Sequence, residues 1–332
     1  MTKIDVFSGF LGAGKTTLIK KLIKEAYTGE KIVLIENEFG KVGIDGGFLQ
    51  DAGIEITEMN SGCICCSLVG DFGKAMAEVI EKFHPDRIII EPSGVGKLSD
   101  VLAAVAKVES DEVKVCGAAT VADAAKCKMY MKNFGEFYDN QIENANAIIL
   151  SRTAGMKEEK IDEVVAMLRE KNADAIIVTT PWDMLDGKKI LEVIDGSRKP
   201  LEFHDDEEEH EHHHHHHHDH DECDDPECEC HHHHHHADEV FESVGAETTK
   251  KFTIDEIKEK LEALNDEEKY GKVLRAKGIV ACECGKFIYF DFVPGEADVR
   301  AGEPDVIGKL CVIGSKINRD AVSELFGVKL KA

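Results

Sequence analysis

Residues 9–17 read Gly9-Phe-Leu-Gly12-Ala13-Gly14-Lys15-Thr16-Thr17. This spacing fits G-x-x-x-x-G-K-[ST] after an apolar strand and before a helix. Glycines there let the backbone N–H groups of Gly9, Gly12, Ala13 and Gly14 wrap phosphate oxygens at a helix N-terminus. The Lys15 ammonium then reaches the β and γ phosphates. The Thr16 hydroxyl is a Mg²⁺ ligand, and Thr17 joins the phosphate-binding set. A second segment, Ile88-Ile-Ile-Glu91-Pro-Ser-Gly94, is a buried-strand pattern ending in an acid. Such an acid beside a phosphate loop holds the magnesium hydration shell, so Lys15 and Glu91 are the catalytic candidates. The Gly94 N–H is placed to meet a γ-phosphate.

Between these segments lie two more. Glu36-Asn-Glu-Phe-Gly40 ends a second strand and leads to Asp45 in a glycine-rich loop. A segment ordered by γ-phosphate and Mg²⁺ belongs there, with Asp45 on the Mg²⁺ side. Then comes Cys63-Ile64-Cys65-Cys66, three thiols in four residues. Thiolates suit Zn²⁺, and Co²⁺ or Ni²⁺ where geometry permits. Three of them leave one tetrahedral position open, for which Glu36 is a candidate neighbour.

A further metal-type region is compositional. Residues 203–239 hold 16 of the 17 histidines and three cysteines among Asp and Glu. His212, His213 and His214 open one histidine run; His231, His232 and His233 open another; Cys223, Cys228 and Cys230 lie between them. Neutral imidazoles bind Ni²⁺, Zn²⁺ and Co²⁺, and the carboxylates attract cations from a distance. The stretch is too polar to bury a core, so it reads as a disordered metal-binding insert, or as a solvated acidic linker. Cys282 and Cys284 share one strand face and form a further candidate pair. Cys116, Cys127, Cys311 and His84 stand alone and read as structural.

These segments need a scaffold. Over residues 1–200, apolar strands at Ile4–Phe7, Ile32–Ile35, Arg87–Ile90, Val113–Ala118, Ala147–Leu150 and Ala175–Val178 alternate with amphipathic helices. The helices are expected at Lys15–Ala26, Leu68–Phe83, Leu98–Val108 and Glu158–Lys171. The pattern predicts an α/β phosphate-loop domain, its mostly parallel sheet covered by helices on both faces, with ligands at the carboxyl ends of the strands. Residues 240–332 predict a small α+β domain: a capping box at Thr253 opening a helix to Leu264, strands at Val273–Cys282, Lys286–Val293 and Val306–Ile313, and a helix at Arg319–Phe326. Net charge is −25, and 18 Asp or Glu with no Lys or Arg fall within 200–249. A basic nucleic-acid surface is therefore not expected. No apolar stretch approaches the ~20 residues that span a bilayer. The start lacks a signal-peptide layout. With clustered Cys-x-Cys spacings this predicts a cytoplasmic protein with no membrane association.

Taken together, GFLGAGKTT (9–17), IENEFGKVGID (35–45), GCICC (62–66) and IIIEPSG (88–94) resemble the CobW-type metallochaperone GTPases, the CobW/HypB/UreG group. KGIVACECGKFIYFDF (277–292) and VIGSKINRDAVSELF (312–326) resemble that family's C-terminal domain. The resemblance implies GTP and GDP with Mg²⁺ as ligands. It also implies a divalent metal (Zn²⁺, Co²⁺ or Ni²⁺) at Cys63, Cys65 and Cys66, and hydrolysis that drives delivery to a client metalloprotein or cofactor-assembly protein. A homodimer is one admissible assembly. Two positions depart from the family pattern. Lys41 stands where an acid commonly follows the NEFG glycine, and Ser151-Arg152-Thr153-Ala154 stands where the guanine-reading NKxD is expected. Ala154 cannot accept guanine N–H groups, so ATP or relaxed specificity stays open beside GTP. Intrinsic turnover is expected to be slow, because no arginine finger in cis is legible. A metal buffer built on the insert and an unrelated phosphate-loop kinase are the competing functions.

Overall fold

The computed structural model describes residues 1–36, 55–58, 69–196, 240–283, 285–302 and 308–330, with backbone alone for 55–58 and 69–75. Asp45, Cys63, Cys65, Cys66, Cys284 and the 203–239 insert lie outside the described residues.

The first unit is a seven-stranded parallel sheet. Its strands are β1 (Thr2–Ser8), β2 (Ile32–Glu36), β3 (Glu55–Glu58), β4 (Arg87–Glu91), β5 (Val113–Asp123), β6 (Ala147–Ser151) and β7 (Ile176–Val178). They lie in the order β3-β2-β4-β1-β5-β6-β7. The chain winds one way from β1 toward β3 and the other way toward β7, so a crevice opens at the carboxyl end of β1. The helices are α1 (Lys15–Glu25), α2 (Val69–Phe83), α3 (Leu98–Ala106), α4 (Cys127–Glu143), α5 (Glu158–Lys171) and α6 (Gly187–Gly196).

Period-two alternation divides the strands between two apolar layers. Ile88 and Ile90 pack into one layer with Val101, Val105, Tyr138 and Leu168 from the helices on that face. Ile89 packs into the other with Leu18, Ile19 and Leu22 of α1 and Ile190 and Ile194 of α6. The expected helices on both faces are therefore present.

Three elements were not foreseen: β3, α4 and α6. The pattern of α4 is hard to see because its buried side is aromatic (Tyr130, Phe134, Phe137, Tyr138). The helix also kinks at Phe134 (φ −140°, ψ 33°), next to Gly135. Aromatics and glycine are weak helix formers, so local propensity gave little signal there.

The second unit is a separate sheet with the path β12-β11-β10-β13-β8 and β9 beside β10. Its strands are β8 (Glu242–Thr248), β9 (Lys251–Phe252), β10 (Lys272–Cys282), β11 (Phe287–Val293), β12 (Glu296–Gly302) and β13 (Gly308–Ser315). All pairs are antiparallel except β9 with β10. The helices are α7 (Ile254–Ala263), α8 (Glu267–Tyr270) and α9 (Arg319–Phe326). The expected capping box opens α7: Glu256 N–H donates to Thr253 Oγ1 at 3.2 Å, and Thr253 N–H donates to Glu256 Oε2 at 2.8 Å. Strands β8, β9 and β12 and helix α8 were also unforeseen; in β12 the alternating apolar residues Ala297, Val299 and Ala301 are small and mostly exposed, so the period-two signal is weak.

The sheet's faces have different partners. Ile288, Phe290 and Phe292 pack on the unit's own helices. Leu274, Ile279, Cys311 and Ile313 join the apolar layer of the first unit. Phe241 sits in that junction, its ring 5.4 Å from Phe134 and 5.1 Å from Phe137. The second unit is thus docked by apolar burial beside the phosphate loop.

Candidate functional site

β1 delivers the chain into the 9–14 loop. Gly9 (φ 143°) lies so close to β5 that an added Cβ would meet the Val121 carbonyl oxygen at 2.3 Å. A side chain is excluded by backbone, which no rotamer change relieves. Lys15 is almost fully buried, and its ammonium donates to Gly9 O at 2.8 Å and Phe10 O at 3.5 Å. The charge is thus held over the loop that the sequence assigned to phosphates.

Thr16 and Glu91 meet across the crevice. The Thr16 hydroxyl lies 3.0 Å from Glu91 Oε1 and 3.2 Å from Oε2. A hydroxyl and a carboxylate converging on one point are the hard oxygen donors that Mg²⁺ takes, so these residues fit the implied ion. Glu36 ends β2 in register with Glu91 at the end of β4, and is buried. The loop after β4 brings Gly94 against the phosphate loop, where an added Cβ would meet Leu11 N at 2.9 Å. Gln141 of α4 donates to Gly94 O at 3.2 Å and Gly96 O at 2.8 Å, which fixes that loop from behind.

Sequence reasoning missed Arg152, which follows β6. It has φ 57°, a backbone conformation uncommon for a residue with a side chain. Its guanidinium donates to Gly12 O at 2.9 Å, pairs with Asp123 at 3.1 Å and pairs with Glu296 at 2.7 Å. One side chain therefore joins the phosphate loop, the end of β5 and the β11–β12 turn. Burial pushes the Asp123 carboxyl above the usual carboxylate range, against the pull of Arg152. The same turn presses Val293 onto Gly12, where a Cβ would meet Val293 Cγ1 at 2.1 Å.

A cavity of about 260 Å³ occupies this crevice, lined by Lys15, Thr16, Glu91, Arg152, Arg275 and Arg300 among others. The sequence offered no arginine in cis, yet three line the cavity. Each is matched by carboxylates: Arg152 as above, Arg275 by Asp291 at 2.7 Å, and Arg300 by Asp298. A second cavity of about 280 Å³ continues past Gly14 and Thr17 to Ser151, Ala154, Trp182 and Asp183.

Among the described residues, no group of three or more His, Cys, Asp or Glu is placed to hold a metal. The candidate soft-metal ligands Cys63, Cys65 and Cys66, the insert residues and Asp45 all lie outside those residues. Cys127 and Cys311 are buried, and burial pushes the Cys127 thiol up. Both fit the structural reading of lone cysteines. Cys282 is buried at the end of β10. Among the described residues no helix is long and apolar enough to cross a membrane.

Residues 3–179 match the family described as CobW/HypB/UreG, nucleotide-binding domain. The chain belongs to that family. A zinc chaperone CobW from Sinorhizobium sp is 36% identical over 208 residues, covering 59% of this chain and 56% of that protein. The zinc chaperone YjiA from Escherichia coli K12 is 30% identical over 191 residues, covering 55% and 58%. A zinc-regulated GTPase metalloprotein activator 1 from Schizosaccharomyces pombe is 29% identical over 202 residues, covering 58% and 48%. The chain thus spans about half the length of these relatives. Among solved structures, Zn(II)-bound YjiA from E. coli aligns over 98% of both chains at 20% identity, with a TM-score of 0.41.

Proposed function

We propose that this CobW/HypB/UreG-family chain is a GTP-hydrolysing metallochaperone. It binds a divalent transition metal at Cys63, Cys65 and Cys66 and releases it to a client metalloprotein or cofactor-assembly protein on hydrolysis. The observation that carries the reading is the pairing of Thr16 with Glu91 beneath a buried Lys15. That pairing supports a phosphate-and-cation site, in a chain that also carries a Cys-x-Cys-Cys motif between residues 16 and 91.

In this reading the N–H groups of Gly9, Gly12, Ala13 and Gly14 hold the phosphates, and Thr17 supports them. The Lys15 ammonium leaves the Gly9 and Phe10 carbonyls for the β and γ phosphates. Thr16, Glu91 and Asp45 would hold Mg²⁺, which when bound supplies neutralisation of phosphate charge. Gly94 turns its N–H toward the γ-phosphate, and Val293 and Arg152 close the crevice against water. Glu36 beside Glu91 links the cation side to the strand end that leads toward the cysteines. Turnover is slow, because the arginines at the cavity are already matched by Asp123, Glu296, Asp291 and Asp298.

Zn²⁺ is the first choice of cargo from the relatives' names, and Co²⁺ and Ni²⁺ fit the same thiolates. The setting is cytoplasmic, without nucleic acid or membrane, and a homodimer is one assembly to test. A second reading, metal storage, is favoured by the 16 histidines and three cysteines of 203–239. Metal-stimulated GTP hydrolysis separates the two. Cys65→Ser should abolish the stimulation, and deletion of 204–236 should leave it. Unchanged metal affinity and stimulation in Cys65→Ser would remove the switch. Loss of both in the deletion variant would favour storage.

A further inference from the structure

The β6 loop carries Ser151-Arg152-Thr153-Ala154 and so has no carboxylate to read a base. The second cavity is nevertheless lined by two, Asp183 and Glu296. Its wall is made by that loop, by Gly14 and Thr17 of the phosphate loop and α1, and by the turn Pro181-Trp182-Asp183 after β7. It shares Gly14, Thr17, Arg152 and Glu296 with the phosphate cavity, so the two are lobes of one groove. A nucleotide whose phosphates lie on residues 9–16 directs its base into this second lobe.

Two lining carboxylates could meet a base, and they differ. Glu296 is committed to Arg152 at 2.7 Å. Asp183 is exposed, and among the described residues no hydrogen bond or ion pair engages its side chain. Its neighbour Asp186 is occupied, accepting from Lys188 N–H at 2.8 Å where α6 begins. The turn is anchored. Trp182 lies against Gly14, its Cη2 2.9 Å from where a Cβ would stand. Met184 N–H donates to Pro181 O at 3.0 Å and Leu185 N–H to Trp182 O at 3.1 Å. Asp183 is therefore carried on a turn fixed to the phosphate loop itself.

We propose that Asp183 is the base-reading residue of this chain, supplying from the β7 turn the carboxylate that Ala154 does not provide. Guanine presents two donors on one edge, N1–H and the 2-amino group, which a carboxylate accepts together. Adenine presents an acceptor at N1 and would face the carboxylate unpaired. The proposal rests on the GTPase reading above, and names the residue that makes that site guanine-specific.

The test is competitive binding of GTP, ITP, XTP and ATP to the full chain with Mg²⁺. The wild-type chain should prefer GTP. In Asp183→Ala the GTP-over-ITP preference should collapse by about 10- to 100-fold, the size of the one charge-assisted hydrogen bond from the 2-amino group that ITP lacks. In Asp183→Asn the amide donates to the 2-carbonyl of xanthine, so preference should turn from GTP toward XTP. That gain distinguishes recognition from damage to the fold. A guanine preference that survives both substitutions overturns the proposal, as does loss of all four nucleotides together, since a base reader governs selectivity. Equal wild-type binding of ATP and GTP also overturns it, while leaving nucleotide hydrolysis intact. Failure of the wild-type chain to bind any nucleotide would instead overturn the GTPase reading.

Discussion

Lys15→Ala is expected to lower GTP turnover by at least about 100-fold, the scale of removing one preorganised charge donor from a phosphoryl or acyl transition state. Lys15 is 5% exposed, and its ammonium is presented over the loop through Gly9 O and Phe10 O. Among the described residues, no other lysine lining the cavity is so buried, and the cavity's arginines are each matched by carboxylates. Folding should be less affected than turnover, because the lost hydrogen bonds are to loop carbonyls that phosphate-bound or solvated states also satisfy. Steady-state phosphate release checks this. Unchanged turnover would place the chemistry elsewhere.

Arg87→Met is expected to destabilise the chain by about 3–5 kcal/mol, the range for breaking a buried ion pair by removing one partner. Arg87 is 1% exposed and Asp5 0%. Arg87 pairs with Asp5, reaches Glu30 at 2.6 Å, and stacks 4.6 Å from the Tyr27 ring centroid. Tyr27 OH also donates to Asp5 at 2.9 Å. Burial pushes the Asp5 carboxyl up, while Arg87 and Tyr27 pull it down. Removing Arg87 leaves that carboxylate in an apolar wall with one donor. Adding Asp5→Asn should recover much of the loss, since the amide keeps an acceptor for Tyr27 and carries no charge. Glu30 needs no rescue, being 30% exposed. Urea unfolding of the single and double variants measures both effects. An equal loss in the two would show that the Asp5 charge is not the cause. The network also joins β1 and β4, the strands that present the phosphate loop and Glu91, so weakening it should loosen the site.

What could be read in advance follows from how local each signal is. The phosphate loop was legible because its backbone path admits only glycine at Gly9, and Glu91 because it ends an apolar run. The two sheet faces were legible in the alternation of Ile88, Ile89 and Ile90. The Arg152 contacts were not, because they join residues 140 and 144 positions away in the chain. Arg275, Arg300 and Val293 reach the crevice only through docking of the second sheet, which no local pattern encodes. The α4 helix was hidden by its aromatic face and its kink at Phe134. Base recognition looked absent because Ala154 replaces the expected acid. The nearest alternative, Asp183, lies 29 residues further on and enters the same cavity only after β7 and its turn are in place.

The central claim is that metal affinity at Cys63, Cys65 and Cys66 depends on the nucleotide's γ-phosphate. The most direct measurement is Zn²⁺ competition against a chromogenic chelator, with GDP and then with a non-hydrolysable GTP analogue. It is made on the chain lacking 204–236, so that the insert's imidazoles do not mask the thiolates. A coupled site predicts tighter binding with the GTP analogue by about 5- to 150-fold, the usual span of coupling between two sites. Cys65→Ser should remove that difference. Equal Zn²⁺ affinity in the two nucleotide states would contradict the account.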